Sequence, residues 1–261
     1  MSAQNGSVQS IERGFQILEL LRVEGRAIGV SEMATLVGLS TTTVHRLLKT
    51  LRSCRAVQQD PKTHLYDLND HMLLYGKAVL NRFNFLGSVH PILGELSKRV
   101  GETVFMGILD DQFDLIYIDQ VDSLDNPLRM TPQIGLRQPA HSTSLGKVLL
   151  ASLKMEKLTL FLNRGSFPRK TEFTLTTVRD LSRELDKIRK CGYALDQEEM
   201  ENGICCVAAP VQNSHGTIAA ISISGPSSRM RSKGLDTVLS KEISLTASRV
   251  SQFIQSMDLG G

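Results

Sequence analysis

The sequence predicts an α+β chain of two domains, a small helical one followed by a larger one with antiparallel strands. Three observations predict it. The chain has 261 residues, more than one typical domain and suited to two. Apolar residues recur at helical spacing through the first fifty positions. Beyond residue 100, strand-like runs separated by polar turns are interspersed with amphipathic helices.

The first domain spans residues 8–68. Ile11, Phe15, Leu18 and Leu21 give an amphipathic helix that Gly25 ends. Ser31 caps a second short helix through Met33, Ala34, Leu36 and Val37. Gly38 tolerates the positive φ of a tight turn. Ser40 caps a third helix over 41–51. Strands follow at 56–59 and 63–68, with Asp60-Pro61-Lys62 as the turn. Helix, helix, turn, helix, hairpin is the order of a winged helix-turn-helix.

Residues 69–86 predict one connecting helix, with Met72, Leu73, Tyr75, Val79 and Leu80 apolar. The second domain spans 87–257. Pro91 stands near the start of a helix through Ile92, Leu93, Leu96 and Val100. Strands at 103–109 and 115–121 flank the turn Asp110-Asp111-Gln112. A stretch rich in proline and glycine, 126–139, leads into a helix over 145–153. Residues 177–191 form a charged periodic helix stopped by Gly192. Strands at 204–211 and 217–224 make a hairpin, and a last helix covers 235–257.

Hydrophobic residues are 41% of the chain, enough for packed cores, so disorder is not the default. No apolar run reaches the ~18 residues of a membrane span. Residues 1–14 lack the apolar centre of a signal peptide. The expectation is a cytoplasmic protein with no membrane partner. None of the four cysteines forms a C-x-x-C pair, so neither a zinc site nor a disulfide framework is expected. No phosphate loop, dinucleotide fingerprint, nucleophile elbow or H-E-x-x-H is present, so no enzyme and no cofactor is expected.

The net charge of +3 is modest, but its placement is informative. Arg46, Lys49, Arg52, Arg55 and Lys62 stand against Asp60 alone between residues 40 and 62, a net +4. A recognition helix packs one face on its domain and offers the other to the major groove. Val44, Leu47, Leu48 and Leu51 make the packing face. Thr42, His45, Arg46 and Lys49 make the other, and Thr41, Thr42 and Thr43 form the first turn. These residues, with Ser31, Ser40 and Lys62, are the candidate DNA contacts. Arg46 suits guanine or phosphate equally. The alternatives are a solvated face, or a sensor module acting through protein contacts without DNA.

Several segments carry a family resemblance. They are 8–14 (VQSIERG), 38–48 around Gly38-Leu39-Ser40 and Thr43-Val44-His45-Arg46, 142–151 (STSLGKVLLA), 192–211 and 219–226 (AAISISGP). In this order they resemble the IclR family of bacterial transcription regulators nearly end to end. Residues 128–151 look closest to its KdgR-like branch of sugar-acid regulators. The resemblance implies a helical linker and a GAF-like effector-binding domain. It also implies a homodimer or homotetramer, a double-stranded DNA operator, and a repressor or activator answering to a small organic acid such as a sugar acid. The effector residues it implies are Ser142, Ser144, Leu145, Gly146, Asp196, Cys206, Ser222 and Ser224. Leu128, Met130 and Ile134 are expected as an apolar wall. Ser222 and Ser224 alternate with Ile221 and Ile223, so both hydroxyls share one sheet face; the bland alternative is a solvated face. The chain departs from the family in lacking a glycine at 53–56, after the recognition helix, and in carrying Pro210 where some members place a ligand-contacting cysteine.

Overall fold

The computed structural model describes residues 7–123 and 134–258. The chain divides into two compact units between Phe83 and Asn84.

The first unit contains α1 (Gln9–Glu24), α2 (Val30–Val37), α3 (Thr41–Ser53), β1 (Val57–Gln59), β2 (Tyr66–Leu68) and α4 (Met72–Leu80). Gly25 and Gly38 end their helices in the left-handed conformation that glycine adopts without a Cβ penalty. Ile17, Leu21, Ile28, Met33, Val44, Leu48, Val57 and Tyr66 form the core. The expected packing face of α1 is corrected. Gly14, Ile17 and Leu21 are buried, whereas Ile11 and Phe15 are 59% and 68% exposed. Two apolar stripes of equal spacing run along α1. The buried one carries Gly14, which faces Leu51 of α3.

Ser31 is also corrected. It lies in the first turn of α2, and the N-cap is Gly29, which has no side chain to donate or accept. The backbone of Ile28 pairs with that of Tyr66 at 2.8 and 2.9 Å. That bridge holds Gly29 extended, so the helix starts one residue before Ser31. The hairpin loop is longer than expected, because β2 begins at Tyr66 rather than Thr63. Asp60 Oδ1 accepts the N–H groups of Lys62 and Thr63 at 2.8 Å each, which extends the turn. The expected single helix over 69–86 is broken: α4 ends at Leu80, a 3-10 turn covers Asn81–Phe83, and a new helix starts at Leu86. Asparagine favours such turns because its side chain competes for backbone hydrogen bonds.

The second unit is built on one antiparallel sheet in the order β5-β4-β3-β8-β7-β6. The strands are β3 (Thr103–Leu109), β4 (Asp114–Val121), β5 (Arg137–Pro139), β6 (Ala194–Gln197), β7 (Ile204–Asn213) and β8 (Gly216–Pro226). Its helices are α5 (Leu86–Val100), α6 (Ser144–Ala151), α7 (Met155–Leu162), α8 (Val178–Cys191), α9 (Ser227–Ser232) and α10 (Ser240–Asp258). Helix α6 packs on one face, against Phe105, Ala208 and Ala220, with α8 beyond it. Helices α5 and α10 pack against each other and against the sheet. Pro91 falls well inside α5, not near its start. Strands β5 and β6 and helix α7 are not signalled by alternation or charge pattern, because each is short and takes its identity from its neighbours.

Candidate functional site

In the first unit the turn before α3 is set by Gly38, at φ 66°. Ser40 Oγ then accepts the Thr43 N–H at 3.2 Å and lies 2.8 Å from Thr43 Oγ1, closing the helix start. Val44, Leu47 and Leu48 turn into the core. Thr41, Thr42, His45, Arg46 and Lys49 are exposed, and Thr43 is half-buried. Helix α3 therefore has one apolar face buried and one hydroxyl-bearing, cationic face free within its unit.

A groove of about 500 Å³ lies between α3 and the hairpin, lined by His45, Lys49, Arg52, Gln59, Thr63 and His64, among others. Arg52 donates to Gln59 Oε1 at 3.0 Å, and Gln59 Nε2 donates to the His64 carbonyl at 3.1 Å, so the helix braces the hairpin loop. Lys62 is exposed in the same loop. Ser31, on α2, is exposed but does not line this groove. Arg46 borders a second groove, of about 430 Å³, with Ile11, Phe15 and Leu18. Arg52 belongs to the basic segment but, like His64, is not among the DNA contacts expected from sequence. Arg52 sits seven residues after His45 and three after Lys49, a spacing that carried the signal.

The missing glycine after α3 has a direct answer. Arg55 itself takes the left-handed conformation, φ 58°. The Ala56 N–H reaches the Leu51 carbonyl at 2.8 Å and the Arg55 N–H the Arg52 carbonyl at 3.0 Å, a glycine-type helix end made by an arginine.

In the second unit the strand register puts Asp196, Cys206, Ser224 and Thr103 side by side across β6, β7, β8 and β3. The next row on the same face is Ala208, Ser222 and Phe105. Ser222 and Ser224 are 1% and 3% exposed, which removes the solvated-face alternative. The start of α6 belongs to the same buried region. Thr143 Oγ1 accepts the Gly146 N–H at 3.0 Å. Ser142 donates toward the Pro139 carbonyl at 3.2 Å and Met200 Sδ at 3.3 Å. Ser142, Ser144 and Leu145 are buried. A Cβ on Gly146 would stand 2.3 Å from Ala140 Cα, so this glycine is required by a close backbone approach. Ile134 is 58% exposed and does not join the row. Leu128 and Met130 lie outside the described residues.

Two further residues were not signalled. Lys147, at 0% exposure, is ion-paired with Glu199. A lysine in an amphipathic helix reads as surface; only the depth at which α6 is set makes it internal. Burial, together with the nearby Glu199 carboxylate and against the pull of Lys147, pushes Asp196 up to about 7. Burial also raises the Glu199 carboxyl and the Cys206 thiol and lowers His141. Phe105 and Tyr117 meet edge to face at 5.3 Å on this side of the sheet. Among the described residues no cluster of three or more His, Cys, Asp or Glu side chains could hold a metal ion, and no helix is long and apolar enough to cross a membrane.

Comparison with known proteins agrees with both halves. Residues 10–61 match the IclR helix-turn-helix domain, and residues 77–252 match the bacterial transcriptional regulator IclR C-terminal family. The HTH-type transcriptional regulator KdgR of Dickeya chrysanthemi is 37% identical over 230 residues, 88% of this chain and 74% of that protein. The transcriptional repressor IclR of Escherichia coli (strain K12) is also 37% identical, over 227 residues, 86% of this chain and 82% of that one. An IclR homologue from Microbacterium hydrocarbonoxydans, solved in complex with 4-hydroxybenzoate, shares the fold with a TM-score of 0.80 at 18% identity, over 95% of this chain and 99% of that one. The chain belongs to the IclR family of bacterial transcriptional regulators.

Proposed function

We propose that this regulator grips a double-stranded DNA operator with the exposed face of α3 and the β1–β2 hairpin, and that a small organic acid bound beneath α6 alters that grip. The carrying observation is the division of labour on α3: Val44, Leu47 and Leu48 are buried while Thr41, Thr42, His45, Arg46 and Lys49 are exposed. The groove residue Arg52 extends the cationic surface toward the hairpin loop, where the exposed Lys62 is assigned to flanking phosphate. Ser31, exposed on α2, and Ser40, at the start of α3, are assigned to backbone phosphate.

The effector reading rests on the buried row of Asp196, Cys206, Ser222 and Ser224, with Ser142, Ser144, Leu145 and Gly146 at the start of α6. Hydroxyls and a helix N-terminus together suit a carboxylate. That a distant fold relative holds an aromatic acid supports the class of ligand. The protein binds without turnover and needs no cofactor. It works in the cytoplasm, where a bacterial chromosome lies, as a homodimer or homotetramer. The exposed apolar residues Ile11 and Phe15 of α1 and Leu73, Leu74 and Tyr75 of α4 support self-association.

The test is a mobility shift on the DNA upstream of its own gene across a salt series. Phosphate-led binding gives a log–log slope of about −0.9 per phosphate neutralised. Arg46→Ala and Lys49→Ala should each weaken the complex, and a salt-independent complex would sink the reading. A thermal-shift panel of small organic acids tests the second half, since a native-state ligand raises Tm.

A further inference from the structure

The buried ionisable groups on the α6 side of the sheet do not balance. Lys147 contributes one cation and is fully buried. Glu199 and Asp196 contribute two carboxyls, at 8% and 2% exposure. Glu199 Oε1 takes the Lys147 ammonium, and its Oε2 is buried without a partner. The Glu199 N–H donates to Asp196 Oδ1 at 2.8 Å, so the two carboxyls belong to one cluster. Among the described residues, the other groups facing it bring no second cation. Cys206 on β7 and Tyr117 on β4 are held in their neutral forms by burial, and His141, before α6, is disfavoured as a cation. Glu184 on α8 adds a further negative influence on Glu199, and the Lys170 charge acts on His141.

One cation offsets one carboxylate, and Glu199 holds it by direct contact. Asp196 is then the uncompensated group, in a row with Cys206 and Ser224. A carboxylate ligand seated on the same row would bring a second uncompensated charge among buried side chains, where screening is weak. Two like charges in contact in such a place do not both stay ionised. We propose that the site takes up its carboxylate ligand together with one proton, held on Asp196, and that Lys147 keeps Glu199 ionised and so directs the proton to Asp196. The proton comes from solvent and adds to a carboxylate oxygen of Asp196; no other bond changes. The ligand then meets a neutral donor instead of an anion. This rests on the ligand reading above. Asp196, already pushed up to about 7 without ligand, is poised for the change.

Two experiments on the full-length protein test it. In the first, pyruvate and 4-hydroxybenzoate are titrated by calorimetry at about pH 6 and about pH 8 in buffers of different ionisation enthalpy. The wild type should absorb close to one proton per ligand at the higher pH. Its affinity should fall roughly tenfold per pH unit above about 7. Asp196→Asn keeps the acceptor for the Glu199 N–H and should abolish both effects. Binding without proton uptake, at an affinity flat in pH, overturns the proposal. If neither acid binds at any pH, the ligand reading fails for these probes, and the second experiment still decides the proton. It follows aspartate carboxyl carbons by NMR without ligand. One signal, missing in Asp196→Asn, should titrate near pH 7 and move higher in Lys147→Met. If Lys147→Met does not fold, the wild type and Asp196→Asn suffice. Every aspartate titrating below about pH 5 overturns it.

Discussion

Gly146→Ala isolates what holds α6 over the sheet. The added Cβ would meet Ala140 Cα and O at 2.3 Å and its carbonyl carbon at 2.7 Å. These are backbone atoms, so no side chain can rotate away, and ordinary contact begins near 3.4 Å. The first turn of α6 must withdraw by roughly 1 Å, loosening the Thr143 cap and the Ser142 contacts. Overpacking of this kind costs about 1–3 kcal/mol, and a backbone clash falls at the upper end. For a unit of this size ~3 kcal/mol lowers Tm by roughly 6–12 °C. Circular dichroism melts of wild type, Gly146→Ala and a control Gly94→Ala make the measurement. Gly94 lies in α5, where a Cβ meets nothing within 4 Å, so its replacement should be neutral or raise Tm by helix propensity. Because Ser142, Ser144 and Leu145 move with the turn, organic-acid binding should weaken in parallel. A Gly146→Ala Tm within about 1 °C of wild type would show that the approach is not tight and refute the reasoning.

Three further outcomes follow from the same geometry. Arg55→Gly should stabilise the first unit by about 1 kcal/mol by relieving the left-handed strain, while Arg55→Ala should not, read as denaturation midpoints of the pair. Glu102 is 1% exposed and bound by Arg229 and Lys233, whose side chains keep 30% and 34% exposure. Its carboxyl is held below the ordinary range even though burial opposes this, the two cations prevailing. It therefore stabilises the fold above the unfolded carboxyl range and loses that contribution as the pH falls through its folded value. Glu102→Gln should cost about 2 kcal/mol near pH 7, below the ~3–5 of a wholly buried pair, and the gap to wild type should close on acidification in urea melts. Phe15→Glu, on the exposed stripe of α1, should lower the association state seen in sedimentation without unfolding the protein; unchanged association would remove this stripe as the contact.

The periodicity of α3 could be read correctly because both of its faces are written in residue type: aliphatic side chains on one, hydroxyl and cationic ones on the other. The glycine stops at Gly25, Gly38 and Gly192 were legible for a local reason, since the positive φ belongs to the residue itself. The stripe of α1 was misread because two apolar stripes share one spacing, and which is buried depends on where α3 approaches. The sequence does not place Ser31 correctly because the helix start is set by a bridge from Ile28 to Tyr66, thirty-eight positions further along.

Taken alone, the chain determined its longer periodic elements, the two-domain order and the amphipathic character of the α3 surface, all of which depend on neighbours within a few residues. The tertiary structure decided what depends on distance through space. Lys147 becomes an internal cation, Gly146 a contact point for Ala140, and Asp196 a carboxyl held near neutrality. Burial and proximity are properties of the packed whole, and no local pattern encodes how deep a helix will lie or which charges it will bring together.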